Sequence, residues 1–229
     1  MSFFINHGTY SKIAEGETRI QIPFTNDGTV AVSAGTLRFT TSFIQSGGAL
    51  VVTGTGALEF DAGLTVSGGM LSGTGTITGN VISHGLISPG MSAGQLTVDG
   101  NLTLLATSTL LIELGGTTQG SGYDHLAVTG NMSLNGLLQV GFTNGFGSSV
   151  LGSDVFTITS ATSMTGAFAN VPTTGLRLGT FDGLGSFQVN FGGTAVTLSN
   201  FQPIPEPSTW MMIGVGTVAA LATCRRRRR

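Results

Sequence analysis

The stretch SGTGTITGNVISHGLISPGMSAGQLTVDGNLTL, residues 72–104, decides how this chain folds. It contains two near-copies of one phrase, TITGNVIS at 76–83 and TVDGNLTL at 97–104, and a third, AVTGNMSL, follows at 127–134. Each phrase sets a Gly-Asn pair, starting at Gly79, Gly100 and Gly130, between short runs of Thr, Val, Ile and Leu. Those runs alternate with period two, as strands with one buried face do. The Gly-Asn pair supplies a corner where positive φ is tolerated.

An earlier set of repeats has the same rhythm. INHGTY at 5–10 and FTNDGTV at 24–30 share an Asn-x-Gly-Thr core, and SGGAL at 46–50 and SGGML at 67–71 continue it. Between the corners, TLRFT, ALEF, LTV and LLIEL (110–114) alternate in the same way, and TRIQIPF puts Ile20 and Ile22 on one face with Arg19 and Gln21 on the other. A cycle of about 20 residues holding several short strands suits a β-solenoid better than a sandwich. In a solenoid each turn stacks on the last through parallel ladders, and inward Val, Ile and Leu form continuous columns.

Composition agrees. Glycine accounts for 37 of 229 residues and charged residues for only 9%, against about 25% charged in ordinary globular chains. The formal charge of −2 conceals an uneven distribution, because five of the nine basic residues are Arg225–Arg229. The remaining Lys12, Arg19, Arg38 and Arg177 stand against eleven acids, a net charge of −7 for the chain without its terminal Arg run. Nucleic-acid binding needs a basic face, so that class is excluded. Cys224 is the single cysteine, which rules out an internal disulfide and a multi-thiol metal site.

The pattern changes near residue 105. Spacing lengthens, and Phe142, Phe146, Phe156, Phe168, Phe181, Phe187 and Phe191 become the conspicuous apolar residues. A solenoid must shield its last rung from edge-to-edge association, and these Phe residues are expected to plug that end. The expected organisation is solenoid repeats over 1–104, a unit cut off at its N-terminal side; wider rungs and a C-terminal β cap over 105–200; a Pro-rich linker over 201–209; and an apolar helix with an Arg tail over 210–229. The fold class expected is all-β: a right-handed parallel β-helix with a C-terminal β cap, followed by one short C-terminal transmembrane helix. The N-terminal stretch MSFFINHGTYSKIAEGETRI lacks the basic start and apolar run of a secretory leader.

Trp210 to Cys224 is a 15-residue run without charge. As a helix it would span about 22 Å, short of the ~30 Å hydrocarbon core. Interfacial Trp and snorkelling Arg side chains make up part of the difference. The Arg cluster keeps its end cytoplasmic and leaves the body outside.

Pro205-Glu206-Pro207-Ser208-Thr209, the apolar run and Arg225–Arg229 follow one another in an order that resembles the PEP-CTERM sorting signal of Gram-negative bacteria. The resemblance covers about residues 203–229. It implies processing by a membrane exosortase near Pro205, Glu206 and Pro207, transient residence in the inner membrane, and delivery to the cell surface or extracellular matrix, often in company with exopolysaccharide and biofilm. The body, through residues 72–104 and YDHLAVTG at 123–130, resembles the β-helical passenger regions of autotransporters, a likeness of fold that implies no activity.

No side-chain constellation outweighs its ordinary reading. Glu59 and Asp61 flank Phe60 and would share a strand face, a spacing compatible with glycosidase chemistry or calcium, but two solvated acids on an outer wall account for them. Ser121, Asp124 and His125 are close in sequence, yet adjacent strand residues point to opposite faces. His7 and His84 precede Gly8 and Gly85 as corner residues, and no second ligand marks a zinc site. Gly-rich runs such as SGGMLSGTGTITG have no following Lys and open no helix, so they are corners and not phosphate loops. Asn101-Leu-Thr and Asn131-Met-Ser match a glycosylation sequon, but the Gly-Asn turns explain them.

The expectation is therefore a non-enzymatic, surface-sorted structural or adhesive matrix protein. It would need no cofactor and no metal. Its partners would be an exosortase, the inner membrane and surface glycans such as exopolysaccharide. The alternatives are an extracellular carbohydrate-active enzyme using Glu59 and Asp61, or a fragment of a larger autotransporter-like protein.

Overall fold

A computed structural model describes residues 2–204. The chain winds through seven complete turns of three strands each and starts an eighth. The first turn consists of Phe4–Asn6, Thr9–Lys12 and Glu17–Ile20. Corresponding strands of successive turns pair in parallel, which gives three faces running along the coil. The first face has eight strands, ending at Ser163–Gly166, and the second has seven, ending at Leu137–Phe142. The third begins at Glu17–Ile20 and reaches Phe156–Ser160 by parallel pairing.

The inward residues form the expected columns. On the second face Val30, Leu50, Leu71, Ile87, Leu110 and Leu138 stack in register and are fully buried. On the third face Leu37, Leu58, Ile77, Val98 and Val128 do the same. Phe24, Phe39, Phe43 and Phe60 fill the early turns, with the Phe39 and Phe60 rings parallel at 5.3 Å between centroids. Offset aromatic stacking of this kind adds about 1 kcal/mol per pair beyond area burial.

Both repeat sets turn out to be corners. Gly79, Gly100 and Gly130 stack between the third and first faces, and Gly8, Gly28, Gly48 and Gly69 stack between the first and second. Gly48 shows why no other residue serves there. Its φ is 61°, and a Cβ would lie 1.9 Å from the carbonyl oxygen of Gly28 below it. The Asn residues beside the other corner form a ladder of their own. Asn80 Oδ1 accepts the Asn101 N–H and side-chain amide, each at 3.0 Å, and Asn101 Oδ1 accepts the Asn131 N–H at 2.8 Å. The two sequon asparagines therefore brace a corner.

Two expectations need correction. TRIQIPF is not one continuous strand: pairing stops at Ile20, and Ile22 lies exposed where the chain turns toward Pro23. The later turns carry inserted loops, residues 115–124 and 143–155, beside strands of four to six residues. Of the seven late Phe residues, Phe156, Phe168 and Phe187 are fully buried, but Phe181 is 58% exposed and plugs nothing.

After Phe156–Ser160 the third face switches to antiparallel pairing with Ala195–Pro203, then Gly185–Phe191, then Arg177–Gly179. The intervening residues fold over the end of the second face. Asn170 Nδ2 donates to the Leu138 carbonyl at 2.8 Å while its Oδ1 accepts the Leu138 N–H at 3.1 Å. Phe181 N–H donates to the Val140 carbonyl, and Asp182 Oδ2 accepts the Phe142 N–H at 2.7 Å. This late edge is covered at each of those residues. At the opposite end, the first turn leaves Phe3, Phe4, Ile5 and Ile13 exposed.

Among the described residues the only helical element is the 3-10 turn Phe146–Ser148, and none is long and apolar enough to cross a membrane. The transmembrane helix and the sorting residues Pro205, Glu206, Pro207 and Arg225, Arg226, Arg227, Arg228 and Arg229 lie outside the described residues.

Candidate functional site

Parallel stacking brings together charges that sequence distance hides. On the outer wall of the third face, Arg19, Arg38, Glu59, Thr78 and Asp99 occupy one column. Arg38 reaches across the next turn: its Nε donates to Asp61 Oδ1 at 2.9 Å and its Nη2 to Asp61 Oδ2 at 3.1 Å. Glu59 lies 3.8 Å from the same guanidinium. Arg19 grips Glu17 with two bonds, at 2.8 and 2.9 Å, and holds that carboxyl below its ordinary value. Glu59 and Asp61 therefore do share a neighbourhood, but an arginine occupies it. No basic residue adjoins them in the sequence. The missing signal was the 23-residue offset between Arg38 and Asp61, close to one turn of the coil.

This arrangement suits charge neutralisation on a flat wall. A glycosidase pair needs two carboxyls facing a sugar, with one held protonated. Here both oxygens of Asp61 are engaged by Arg38, so neither faces an open site.

Asp124 and His125 are buried, while Ser121 is exposed in the loop ahead of them. Asp124 turns inward and clamps two segments: Oδ1 accepts the Gly94 N–H and Oδ2 the Glu113 N–H, each at 3.0 Å. Burial pushes its carboxyl up to about 7, opposed by the Glu113 N–H, with the Glu113 charge adding to the rise and the Gly94 N–H opposing it. His125 turns the other way. Its Nδ1 meets Gln95 Oε1 and its Nε2 meets Ser160 Oγ, each at 3.2 Å, and burial lowers its pKa. The acceptor Gln95 Oε1 requires the proton on Nδ1, so Nε2 accepts from Ser160. The result is a polar ladder across three adjacent strands. The neighbouring Ala161 N–H is taken by the Thr194 carbonyl, so it is not aimed at an oxyanion of the kind acyl transfer requires.

His7 and His84 sit at equivalent corners, through the register that links Asn6, Asn26, Gln45, Val66 and Ser83. His7 Nδ1 bonds Asp27 at 2.8 Å and His84 Nδ1 lies 3.3 Å from Thr107 Oγ1. Among the described residues no group of three or more His, Cys, Asp or Glu side chains is arranged to hold a metal ion.

Inside the coil lies a feature the sequence reading missed. Asn6, Asn26 and Gln45 point inward and are buried. Asn6 Nδ2 donates to Asn26 Oδ1 at 2.7 Å, Asn26 Nδ2 donates to Gln45 Oε1 at 2.8 Å, and Gln45 Nε2 donates to the Gly47 carbonyl. The signal was present in the shared Asn-x-Gly-Thr phrase, because residues repeated at the coil's period must stack.

The outer walls are flat and regular. Along the first face the sequence of stacked outward residues is Ile5, Thr25, Ile44, Thr65, Ile82, Thr103, Ser133 and Thr165. Adjacent strands repeat about every 4.8 Å, so these side chains form a straight file.

Residues 203–229 match the PEP-CTERM protein-sorting motif. No curated protein and no solved structure matched the chain. The motif implies export, cell-surface sorting in a Gram-negative bacterium and processing by an exosortase.

Proposed function

We propose that the solenoid is a non-enzymatic structural or adhesive element of the bacterial surface or extracellular matrix. Its flat walls would meet exopolysaccharide or other surface glycans, and an exosortase would remove its tail. The observation that carries this reading is the union of a sorting motif with a body whose polar side chains are spent on one another. Arg38 is committed to Asp61, Asp124 to two backbone amides, and His125 to Gln95 and Ser160. A coil built from parallel crossovers is taken as right-handed, the sense that such connections favour. The run Trp210–Cys224 is read as a short membrane helix before processing, with Arg225–Arg229 on the cytoplasmic side.

Fractionation and mass spectrometry of the native protein test this. The expected result is a surface or matrix product ending near Pro205–Pro207, and retention of the full chain in the membrane when Pro205, Glu206 and Pro207 are all replaced by Ala. An uncut chain in the cytosol would overturn it. Hydrolysis of a polysaccharide panel that disappears in the Glu59→Gln, Asp61→Asn double variant would favour the carbohydrate-active alternative. Genomic sequence continuing the repeats upstream of Met1 would favour a module of a larger autotransporter-like protein.

A further inference from the structure

The sorting tail leaves the body beside an exposed apolar patch. Ile204 is 58% exposed, its N–H donates to the Leu184 carbonyl at 3.0 Å, and Leu184 is itself 46% exposed. These two side chains and Phe142 line a groove of about 540 Å³. Phe181 lies alongside. Its N–H bonds the Val140 carbonyl, and its ring covers Gly141, where a Cβ would come within 2.1 Å of Cε1. Gly147 likewise gives room to Leu184 and Phe142, each of which would lie 2.9 Å from a Cβ there. Two glycines therefore let large side chains lie flat at the capped end. Ordinary soluble surfaces scatter apolar residues singly, and a contiguous group marks contact with something.

Chain length restricts what that something is. Only residues 205–209 separate Ile204 from Trp210. Fully extended, that stretch reaches no more than about 20 Å. When Trp210–Cys224 occupies the membrane, the patch is confined to that distance from the bilayer surface. Such tethering raises the local concentration of one surface against the other without any new contact.

We propose that the capped end of the solenoid docks on the lipid surface through Phe181, Leu184 and Ile204 while the tail is still attached. The proposal rests on the reading of residues 210–224 as a membrane segment. The contact is apolar in character. Asp182, the acid within the groove, has its carboxylate oxygens satisfied by the N–H groups of Phe142 and Leu184 at 2.7 and 3.1 Å, and among the described residues no Lys or Arg lines the groove. A zwitterionic bilayer is therefore sufficient, and anionic lipid adds nothing. The open first turn lies seven strand spacings away, about 34 Å. Cutting near Pro205–Pro207 removes the tether, and three side chains alone give only reversible attachment, so processing and release become one event.

The test uses the full chain with Cys224 replaced by Ser, reconstituted in phosphatidylcholine vesicles, with an environment-sensitive fluorophore on Leu184→Cys or, at the far end, on Thr9→Cys. Lipids spin-labelled near the headgroup are the quencher. The expected result is a blue shift and loss of most fluorescence at position 184 with none at position 9. Adding Phe181→Ser and Ile204→Ser should abolish the quenching at 184 while vesicle binding persists. If the chain pellets with vesicles but position 184 is no more quenched than position 9, the docking proposal alone fails. If the chain stays in the supernatant, the membrane reading fails and docking fails with it. Far-ultraviolet circular dichroism matched to the unlabelled chain establishes that each variant is folded.

Discussion

Asn170 meets Leu138 with both ends of its amide, accepting the backbone N–H at 3.1 Å and donating to the carbonyl at 2.8 Å. One side chain thus imitates the next strand of a ladder that has run out. The edge of a sheet invites pairing with another chain unless it is covered, and here the cover is partly a single residue.

Replacing Asn170 by Leu removes both bonds. The expected loss is about 1 kcal/mol of stability, read as a lower urea midpoint with an unchanged slope. Light scattering at high concentration should also rise, because the edge at Leu138 becomes available. An unchanged midpoint together with unchanged scattering would show that the cap does not depend on this amide.

The buried amide file makes a sharper test, because its members are mutually dependent. Asn26→Leu leaves Asn6 Nδ2 only the Gly8 and Thr29 carbonyls and strands the acceptor of Gln45, and should cost about 1–3 kcal/mol. Replacing Asn6, Asn26 and Gln45 all by Leu should recover most of that loss, since removing every partner leaves nothing unpaired. The same column already carries Val66 one turn later. Equal destabilisation by the single and triple variants would refute mutual dependence.

Asp124 predicts a direction with pH. Its folded value of about 7 lies above the ordinary 3.8, so between those values the native state holds a proton that the unfolded chain has released. Stability from this group is present at low pH and falls as pH rises toward about 7, becoming flat above it. His125, pushed down by burial, acts oppositely: its contribution is lost as pH falls through the ordinary histidine range. Thermal melts of wild type and Asp124→Asn across pH 4–8 separate the two effects. The wild-type advantage over the variant should shrink as pH rises, and growth of that advantage would reverse the assignment.

Arg38→Ala should barely move the urea midpoint, since exposed ion pairs add little and salt screens them. Its value is local. Without the guanidinium the Asp61 carboxylate loses both of its hydrogen bonds, a change in its chemical environment that carbon-detected NMR at fixed pH would resolve. A large loss of stability would mean that the wall depends on this network more than its exposure implies.

Much of the coil was legible because its period is written in glycine. Gly79, Gly100 and Gly130 mark one corner and Gly8, Gly28 and Gly48 another, and strand alternation between them sets which residues face in. What could not be read was lateral contact. Arg38 meets Asp61 two positions beyond Glu59, its register partner on the next turn, and Ser160 reaches His125 across an inserted loop of 143–155. Such partners follow from register, and register depends on how each insertion is accommodated. Phe181 illustrates the limit of composition: an aromatic residue among aromatics was expected inside, but the chain presents it at the surface over Gly141.

The file of amides also has a direction. The carbonyls of Gly8 and Thr29 flank Asn6, and those of Gly28 and Ala49 flank Asn26. Carbonyls only accept, so the Asn6 and Asn26 amides turn their nitrogens the same way, toward the next turn. The earliest member therefore shows an oxygen outward. A strand laid before it in the same sense completes the series if it brings an Asn or Gln nitrogen, whereas two copies meeting first turn to first turn would set oxygen against oxygen. The orientation of one side chain thus makes the two ends of the amide file chemically different.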